Sequence, residues 1–428
     1  MKNSVIRTLA VASLSLGSLL SMVACGGVKA AVYEPGTPVK VGLICLHDST
    51  STYDANFINA LEEAVEALGS KVEFDQSCLL TGVDENQACF NAAKNLVKKG
   101  CNVIFADSFG HQSYMLEAAQ KWPEVQFCHA TGTNAKTAGL DNYHNAFASI
   151  YEGRFLAGYA AGLKIVNANA TKVAAGDNLK VGYVGAFPYA EVKSGYTSWF
   201  LGVRQAVEDK TLGAYDTSKL TMDVKFTNSW YDPNAEASSA TSLITDGAVL
   251  ISQHADSMGA PGVCEEAGVP NVTYNIETKD SCENTYLAYS RINWAPYYEA
   301  VVEAVYAGKA IENEKNHNWT GTLTTDSVQY NVNWDNVTSD AAVLAADKVL
   351  FETMATAVKT GARKVFDTSK FTVKGAAVTT YQADTDGDFA GDTEAIKTEG
   401  GVSFFDESVH CSAPYFDLDI DGINLPAA

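Results

Sequence analysis

Residues 39–74 read VKVGLICLHDSTSTYDANFINALEEAVEALGSKVEF, and the pattern of this stretch decides the fold class. The segment 39–46 is a continuous stretch of strand length that is apolar apart from Lys40. In 54–68 the apolar residues recur at helical spacing, and Gly69 ends the predicted helix. The apolar stripe of this helix consists of Phe57, Leu61, Val65 and Leu68. A short strand at 71–74 follows, so the folded part of the chain begins as strand, helix, strand.

The same alternation continues and then restarts downstream. Up to residue 129 it predicts helices at 85–98 and 112–121 and strands at 102–106 and 125–129. A second unit predicts strands at 180–186, 221–226, 248–252 and 271–274, with helices at 195–208, after Asp232-Pro233 and at 259–267. Buried apolar strands that alternate with helices indicate parallel sheets covered by helices on both faces.

Two such units predict an α/β chain of two doubly wound parallel-sheet lobes, with a hinge and a ligand cleft between them. A helix at 151–166 separates the units, and a helix at 294–307 follows the second unit and can return to the first. We therefore assign the first lobe to 38–149 plus 286–308 and the second lobe to 150–285 plus 309–428.

The N-terminus has the features of an export signal. Basic residues precede the apolar segment 9–23, and a small residue followed by Cys25 closes it, as in a bacterial lipobox. We predict a lipoprotein signal peptide at 1–24, a lipid on Cys25 and a linker at 25–37. The predicted location is the extracytoplasmic face of the cell membrane, to which the lipid anchors the chain.

Composition excludes several classes of partner. The 428 residues include 51 acidic and 30 basic side chains, for a net charge of −21, and no long basic run occurs. These features argue against nucleic acid as a partner. Without Cys25, eight cysteines remain, and either Cys78 with Cys89 or Cys264 with Cys282 could close a disulfide.

Catalytic and cofactor motifs are not found in the sequence. The sequence contains no GxSxG, P-loop or HExxH motif and no GxGxxG after a strand. The acidic segment 384–388 has neither the full spacing nor the closing Glu of a calcium loop, so we interpret it as a polar turn. We predict no catalytic residue, no cofactor and no metal site.

Polar and aromatic residues follow the predicted strands, where ligands bind in open α/β sheets. The segments that follow five of the strands are 47–54, 107–110, 187–189, 228–232 and 253–257. They alternate aromatic side chains with Asp, Ser, Thr and Asn, which suits a flat or ring-shaped ligand that carries hydroxyls. Single residues have simpler explanations: Asp232 fits a helix cap, His254 a satisfied polar residue and Trp230 a packing residue.

Six stretches between about residues 40 and 308 resemble the basic membrane protein family of substrate-binding lipoproteins, in the family's order. They are HDSTSTYDANFINALEEA, FADSFGHQSYMLEAAQKWPEVQF, NAFASIYEGRFLAGYAAGL, VGYVGAFPYAEVKSGYTSWFLGVRQA, SWYDPNAEASSATSLITDGAVLISQHADS and NWAPYYEAVVEAVYAGK. The resemblance implies the type I periplasmic binding protein fold and capture of purine nucleosides for the permease of an ABC importer.

The resemblance also implies a set of ligand-binding residues. Phe57 and Phe200 would lie on the two faces of the base, and Asp54 would bond the edge of the base. The ribose side would be lined by Asp107, Ser108 and Asp256, and Asp48 would open the first loop.

The sequence also allows three alternative functions. The same cleft could bind a sugar or another small solute. The same fold could serve as a surface sensor or adhesin. A hydrolase that acts through paired carboxylates would need two carboxyl groups held about 5–10 Å apart, which no motif of the sequence requires.

Overall fold

The structure is a computed structural model and describes residues 28–311 and 317–426. The predicted signal peptide 1–24 and the predicted lipidation site Cys25 lie outside the described residues. Among the helices that the structure describes, none is both long and apolar enough to cross a membrane.

The helices and strands alternate along the chain as the sequence predicts. The helices are α1 Thr52–Leu68, α2 Gln87–Lys98, α3 Gln112–Lys121, α4 Ala135–Ala138, α5 Ile150–Ala168, α6 Ala170–Ala175, α7 Ala190–Lys210, α8 Pro233–Thr245, α9 Gly259–Ala267, α10 Ala295–Tyr306 and α11 Ala341–Lys359. The strands are β1 Val39–Ile44, β2 Val72–Glu73, β3 Leu79–Leu80, β4 Val103–Ala106, β5 Gln126–Ala130, β6 Tyr143–Ala148, β7 Leu179–Gly185, β8 Leu220–Phe226, β9 Ile251–His254, β10 Asn271–Tyr274, β11 Tyr286–Ile292, β12 Asn318–Gly321, β13 Val328–Val332, β14 Gln382–Ala383, β15 Thr393–Glu394, β16 Ile396–Glu399, β17 Val402–Phe405 and β18 Ile423–Asn424.

The strands form two main sheets, one in each lobe. The first has the order β12-β6-β5-β4-β1-β2, with β3 also paired to β1, and its pairs are parallel. The second has the order β13-β11-β10-β9-β7-β8-β18, and only β13 runs antiparallel to its neighbour. In both sheets the order turns outward from a central strand, which is the doubly wound pattern. The predicted α/β class with two parallel-sheet lobes is confirmed.

The sheets correct two of the predicted lobe boundaries. We assigned 286–308 to the first lobe, but β11 pairs with β10 in the second sheet, and only α10 returns to pack on α1. We assigned 309–428 to the second lobe, but β12 pairs with β6 in the first sheet. The reason is that the chain passes between the lobes at the ends of β6, β11 and β12. A strand and the helix after it can therefore belong to different lobes.

The helices α5 and α7 cross with their backbones in contact. A Cβ added to Gly158 would lie 2.0 Å from the carbonyl oxygen of Trp199, and one added to Gly202 would lie 2.0 Å from that of Phe155. Only glycine permits this approach, because any side chain would overlap the facing backbone. The helix α11 packs on both α5 and α7.

The last sixty residues contact both lobes. In the second lobe, β18 extends the sheet beside β8, and Ser194 Oγ donates a hydrogen bond to Glu407 at 2.5 Å. In the first lobe, Ser412 Oγ donates to Asn318 Oδ1 at 3.1 Å. This C-terminal segment therefore contacts both lobes at once.

All eight cysteines in the described residues are buried free thiols. Neither of the two disulfides that the sequence allowed, Cys78 with Cys89 and Cys264 with Cys282, is formed. Cys78 instead lies closest to Cys101, with 3.8 Å between the two sulfur atoms. The thiols contribute to the apolar core of their lobes.

The glycine crossing gives a direct test of the packing between α5 and α7. We expect Gly202→Ala to lower the free energy of unfolding by about 1–3 kcal/mol, because the methyl group must displace the backbone of Phe155. Gly262→Ala is the control, since a Cβ at that helical position meets no atom within 4 Å. It should leave stability unchanged or raise it by up to about 1 kcal/mol. Equal effects of the two substitutions in denaturant unfolding would contradict the close crossing.

Candidate functional site

A pocket lies where the carboxyl ends of the two sheets face each other, with about 390 Å³ of empty space that includes its opening to solvent. Side chains of both lobes line it. They are Leu46, His47, Tyr53, Asp54, Ser108, Phe109 and Thr131 from the first lobe and Glu191, Trp230, His254 and Asp256 from the second. This is the position in which open α/β sheets bind ligands.

The N-terminus of α1 forms the first wall. Ser51 caps the helix and donates its hydroxyl to Asp54 Oδ2 at 2.6 Å, while the backbone N–H of His47 donates to Asp54 Oδ1 at 2.8 Å. Burial alone would raise the pKa of Asp54, but the hydrogen bonds from His47 and Ser51 outweigh it and lower the pKa. Asp54 therefore presents an ionised carboxylate to the cavity.

The same helix end joins the lobes. The backbone N–H of Thr52 donates to the carbonyl oxygen of Asp256 in the second lobe at 2.8 Å. The rings of His47 and Tyr231 also meet across the cleft, with 5.5 Å between their centroids. The structure thus describes a closed cleft.

Asp107 and Ser108 follow β4 at the back of this wall. The Asp107 carboxyl accepts from the N–H of Leu46 at 3.2 Å, and its carbonyl oxygen accepts from the Tyr53 hydroxyl at 2.8 Å. Burial, together with the neighbouring Asp54, raises the pKa of Asp107 well above its ordinary value. Ser108 lines the cavity, whereas Asp107 supports the residues that do.

The second lobe contributes a cluster of buried ionisable groups. Glu191 Oε1 lies 3.4 Å from His254 Nε2, and Arg154 lies behind them with its guanidinium 3.6 Å above the ring of Tyr274. Burial raises the pKa of Glu191 to about 7, and Arg154 partly offsets this effect. Burial, and then Arg154, lowers the pKa of His254 well below its ordinary value, so the imidazole is neutral.

Asp256 completes this side of the cavity. Burial, and then the charges of Asp54, Glu236 and Glu191, raises its pKa well above the ordinary value. Asn275 Nδ2 donates to Asp256 Oδ1 at 3.4 Å. The raised pKa favours the protonated form of Asp256, which can donate as well as accept a hydrogen bond, whereas the ionised Asp54 only accepts.

Aromatic rings surround the polar groups and close the mouth of the cleft. In the second lobe, Phe187 stacks on Tyr189 with 5.0 Å between centroids and lies 5.2 Å from Trp230. Across the mouth, Phe109 of the first lobe lies 6.1 Å from Tyr189. Trp230 and Tyr53 face the cavity itself, so a flat ligand has an aromatic surface on each lobe.

Three of the predicted site residues line the cavity: Asp54, Ser108 and Asp256. Asp107 lies directly behind them. Asp48 is exposed and accepts a hydrogen bond from the Thr50 hydroxyl at 2.6 Å, outside the cavity.

The two predicted stacking residues lie elsewhere, which is a correction. Phe57 points into the first lobe and stacks on Trp294 at 4.3 Å. Phe200 is fully buried in the second lobe, and a Cβ at Gly422 would lie 3.3 Å from its ring. Phe200 lies nine positions after Glu191 in α7, which places it about half a turn around the helix, on the face away from the cleft.

Glu191 was missed because the sequence predicted that helix to begin at Gly195, and the structure begins it at Ala190. The rule that ligands bind after strands could have found it, since it follows β7 closely. Trp230 and His254 were noticed at strand ends but interpreted as packing and satisfied polar residues, and both line the cavity. Asp232 does cap α8, as predicted.

Two groups of acidic residues in the described chain could be considered for a metal ion. Cys45, Asp54 and Asp107 have ligand atoms within 4.8 Å of one another, but burial raises the pKa of both Cys45 and Asp107, and protonated ligands do not bind metal well. Asp384, Asp386 and Asp388 bond to backbone N–H groups of their own loop.

Known proteins resemble this chain in sequence. A purine-binding protein of Brucella abortus is 33% identical over 273 residues, which are 63% of this chain and 69% of that protein. A protein of Haloferax volcanii, whose name proposes glucose binding for an ABC transporter, is 30% identical over 207 residues, 48% of this chain and 46% of that protein.

Solved structures share the fold. A solute-binding protein of an ABC transporter from Aeropyrum pernix covers 77% of this chain and 93% of its own, with a TM-score of 0.61 and 14% identity. Another, from Conexibacter woesei, covers 74% of this chain and 96% of its own, with a TM-score of 0.53 and 18% identity. Together with the two sheets and the cleft, they show the type I periplasmic binding protein fold. The family model of PnrA-like ABC transporter substrate-binding proteins matches residues 42–362, and the chain belongs to this family.

Proposed function

We propose that this substrate-binding protein captures purine nucleosides between its two lobes and delivers them to the permease of an ABC importer. One observation carries the proposal: an ionised Asp54 on one lobe and the Glu191, Asp256 and Trp230 side chains on the other face a single cavity. A purine offers the matching groups, since its faces stack on aromatic rings and its edges carry N–H donors. The purine-binding relative supports this ligand class.

Binding occurs by closure of the lobes around the ligand. In the closed cleft, Thr52 bonds Asp256, and the rings at the mouth meet across the gap. Closure removes water from the acceptors, which strengthens their hydrogen bonds to the ligand. No bond of the ligand is made or broken.

A lipid on Cys25 would hold the protein at the outer face of the membrane, beside the permease. The features of residues 1–24 and the family of transport proteins support this location. The predicted linker 25–37 would then join the lipid to the first strand.

A sugar is the second candidate, favoured by the name of the Haloferax volcanii relative. Asp54 and Asp256 could accept from sugar hydroxyls, and Trp230 could cover a sugar ring. Calorimetric titration against inosine, guanosine, adenosine, their bases and glucose separates the two ligand classes. If glucose binds and no purine does, the ligand is a sugar and the purine assignment is wrong.

The cavity residues give a matched pair of variants. We expect Trp230→Ala to weaken inosine binding by about tenfold or more, because the ligand loses an aromatic surface inside the cavity. Phe200→Leu should retain the wild-type dissociation constant, because Phe200 lies in the core of the second lobe and not in the cavity. If calorimetric titration finds the reverse order, the assignment of the cavity is wrong.

The aromatic contact at the mouth should control ligand release. We expect Phe109→Ala to raise the dissociation rate of inosine several-fold, up to about tenfold, with little change in the association rate, because the closed state loses a contact between lobes. Phe389→Ala is the control, since Phe389 is exposed on the C-terminal segment. Stopped-flow fluorescence measures both rates, and unchanged release from Phe109→Ala would show that this contact does not hold the cleft closed.

A further inference from the structure

We propose that Glu191 is a specificity-determining residue of this cleft and that its carboxylate accepts a hydrogen bond from an N–H on the edge of the bound purine. The inference rests on the proposed function and deepens it, because it selects purines that present a donor at this point. A ligand edge that carries only unprotonated ring nitrogens offers no donor, so it could not form a hydrogen bond with the carboxylate.

The position of Glu191 suits an acceptor. It lies in the first turn of α7, where the N–H groups of the helix favour a negative charge. Its side chain is 13% exposed and lines the cavity opposite Asp54. Its Oε1 is 3.4 Å from His254 Nε2.

The surroundings of His254 indicate which ring nitrogen carries the proton. Nδ1 is buried without a hydrogen-bond partner among the described residues, and it lies against Gly195, where an added Cβ would approach it to 2.7 Å. An unpaired N–H in that position would cost more than a bare nitrogen beside a carbon. We therefore place the proton on Nε2, which lies 3.4 Å from Glu191 Oε1, so that the other carboxylate oxygen is left for the ligand.

Several charged and titratable groups surround this carboxyl. They are His254, Arg154, Asp256, Tyr53, Tyr183 and Tyr274. His254 is neutral, burial raises the pKa of the three tyrosines, and the raised pKa of Asp256 reduces its negative charge. Burial raises the pKa of Glu191 to about 7 against the opposing effect of Arg154, so this residue changes charge near neutral pH.

The affinity for a ligand that donates an N–H to Glu191 depends on pH. A ligand N–H needs the ionised form, so affinity rises as pH rises through 7 and levels off above it. The ionised fraction of a group with a pKa of about 7 grows about tenfold between pH 6 and pH 8, and the association constant should grow by about the same factor. A ligand that needed the protonated form would bind more weakly at the higher pH.

Calorimetric titration of hypoxanthine and inosine at pH 6, 7 and 8 tests the inference with Glu191→Gln. Both compounds carry a ring N–H. We expect wild-type binding to tighten about tenfold from pH 6 to pH 8. Glu191→Gln should bind about ten- to a hundredfold more weakly at pH 8, because the charge-assisted bond is lost, and should show no tightening with pH.

Glu407→Gln is the control. Glu407 is also buried with its pKa raised to about 7, but it bonds Ser194 and backbone N–H groups of the C-terminal segment outside the cavity. This variant should keep the wild-type pH profile. The inference is overturned if the affinity of Glu191→Gln for these purines rises with pH as that of the wild type does. The proposed binding of purines would not be affected by that result. If the wild type binds neither compound nor any other purine at any pH, the proposed function fails and the inference with it.

Discussion

The cleft depends on one backbone hydrogen bond, from the N–H of Thr52 to the carbonyl oxygen of Asp256. Thr52 is the first residue of α1, and the first N–H groups of a helix have no partner within the helix. Here the opposite lobe supplies that partner. The bond holds the N-terminus of α1, which carries Asp54, against the segment of the second lobe that carries Asp256. A lobe rotation that breaks it would also separate the rings at the mouth.

The cavity concentrates carboxyl groups in a chain that is already strongly acidic, and burial makes this tolerable. Asp107 and Asp256 have raised pKa values because a buried charge loses its hydration. Asp54 keeps its charge because hydrogen bonds from His47 and Ser51 replace water. The result is a set of acceptors with little mutual repulsion, which suits an uncharged ligand rich in donors better than an anion.

The sequence predicted the fold well, because apolar strands and helical stripes alternate without ambiguity over 39–129 and 180–274. The rule that ligands bind after strands directed attention to Ser108 and Asp256, and both line the cavity, since chain direction determines which sheet edge they reach. Phe200 was placed wrongly because a motif gives a position along α7 but not the face that turns to the cleft. The lobe boundaries failed at β11 and β12, whose pairing depends on long-range contacts that local patterns do not encode.

We propose that a purine is held by both lobes at once in the closed cleft. Small-angle X-ray scattering of the protein with and without saturating inosine tests it most directly. We expect the ligand-free protein to have a larger radius of gyration than the closed structure. With inosine, the radius should decrease to the value calculated from the closed structure. A radius that does not change while calorimetry shows that inosine is bound would contradict capture between the lobes.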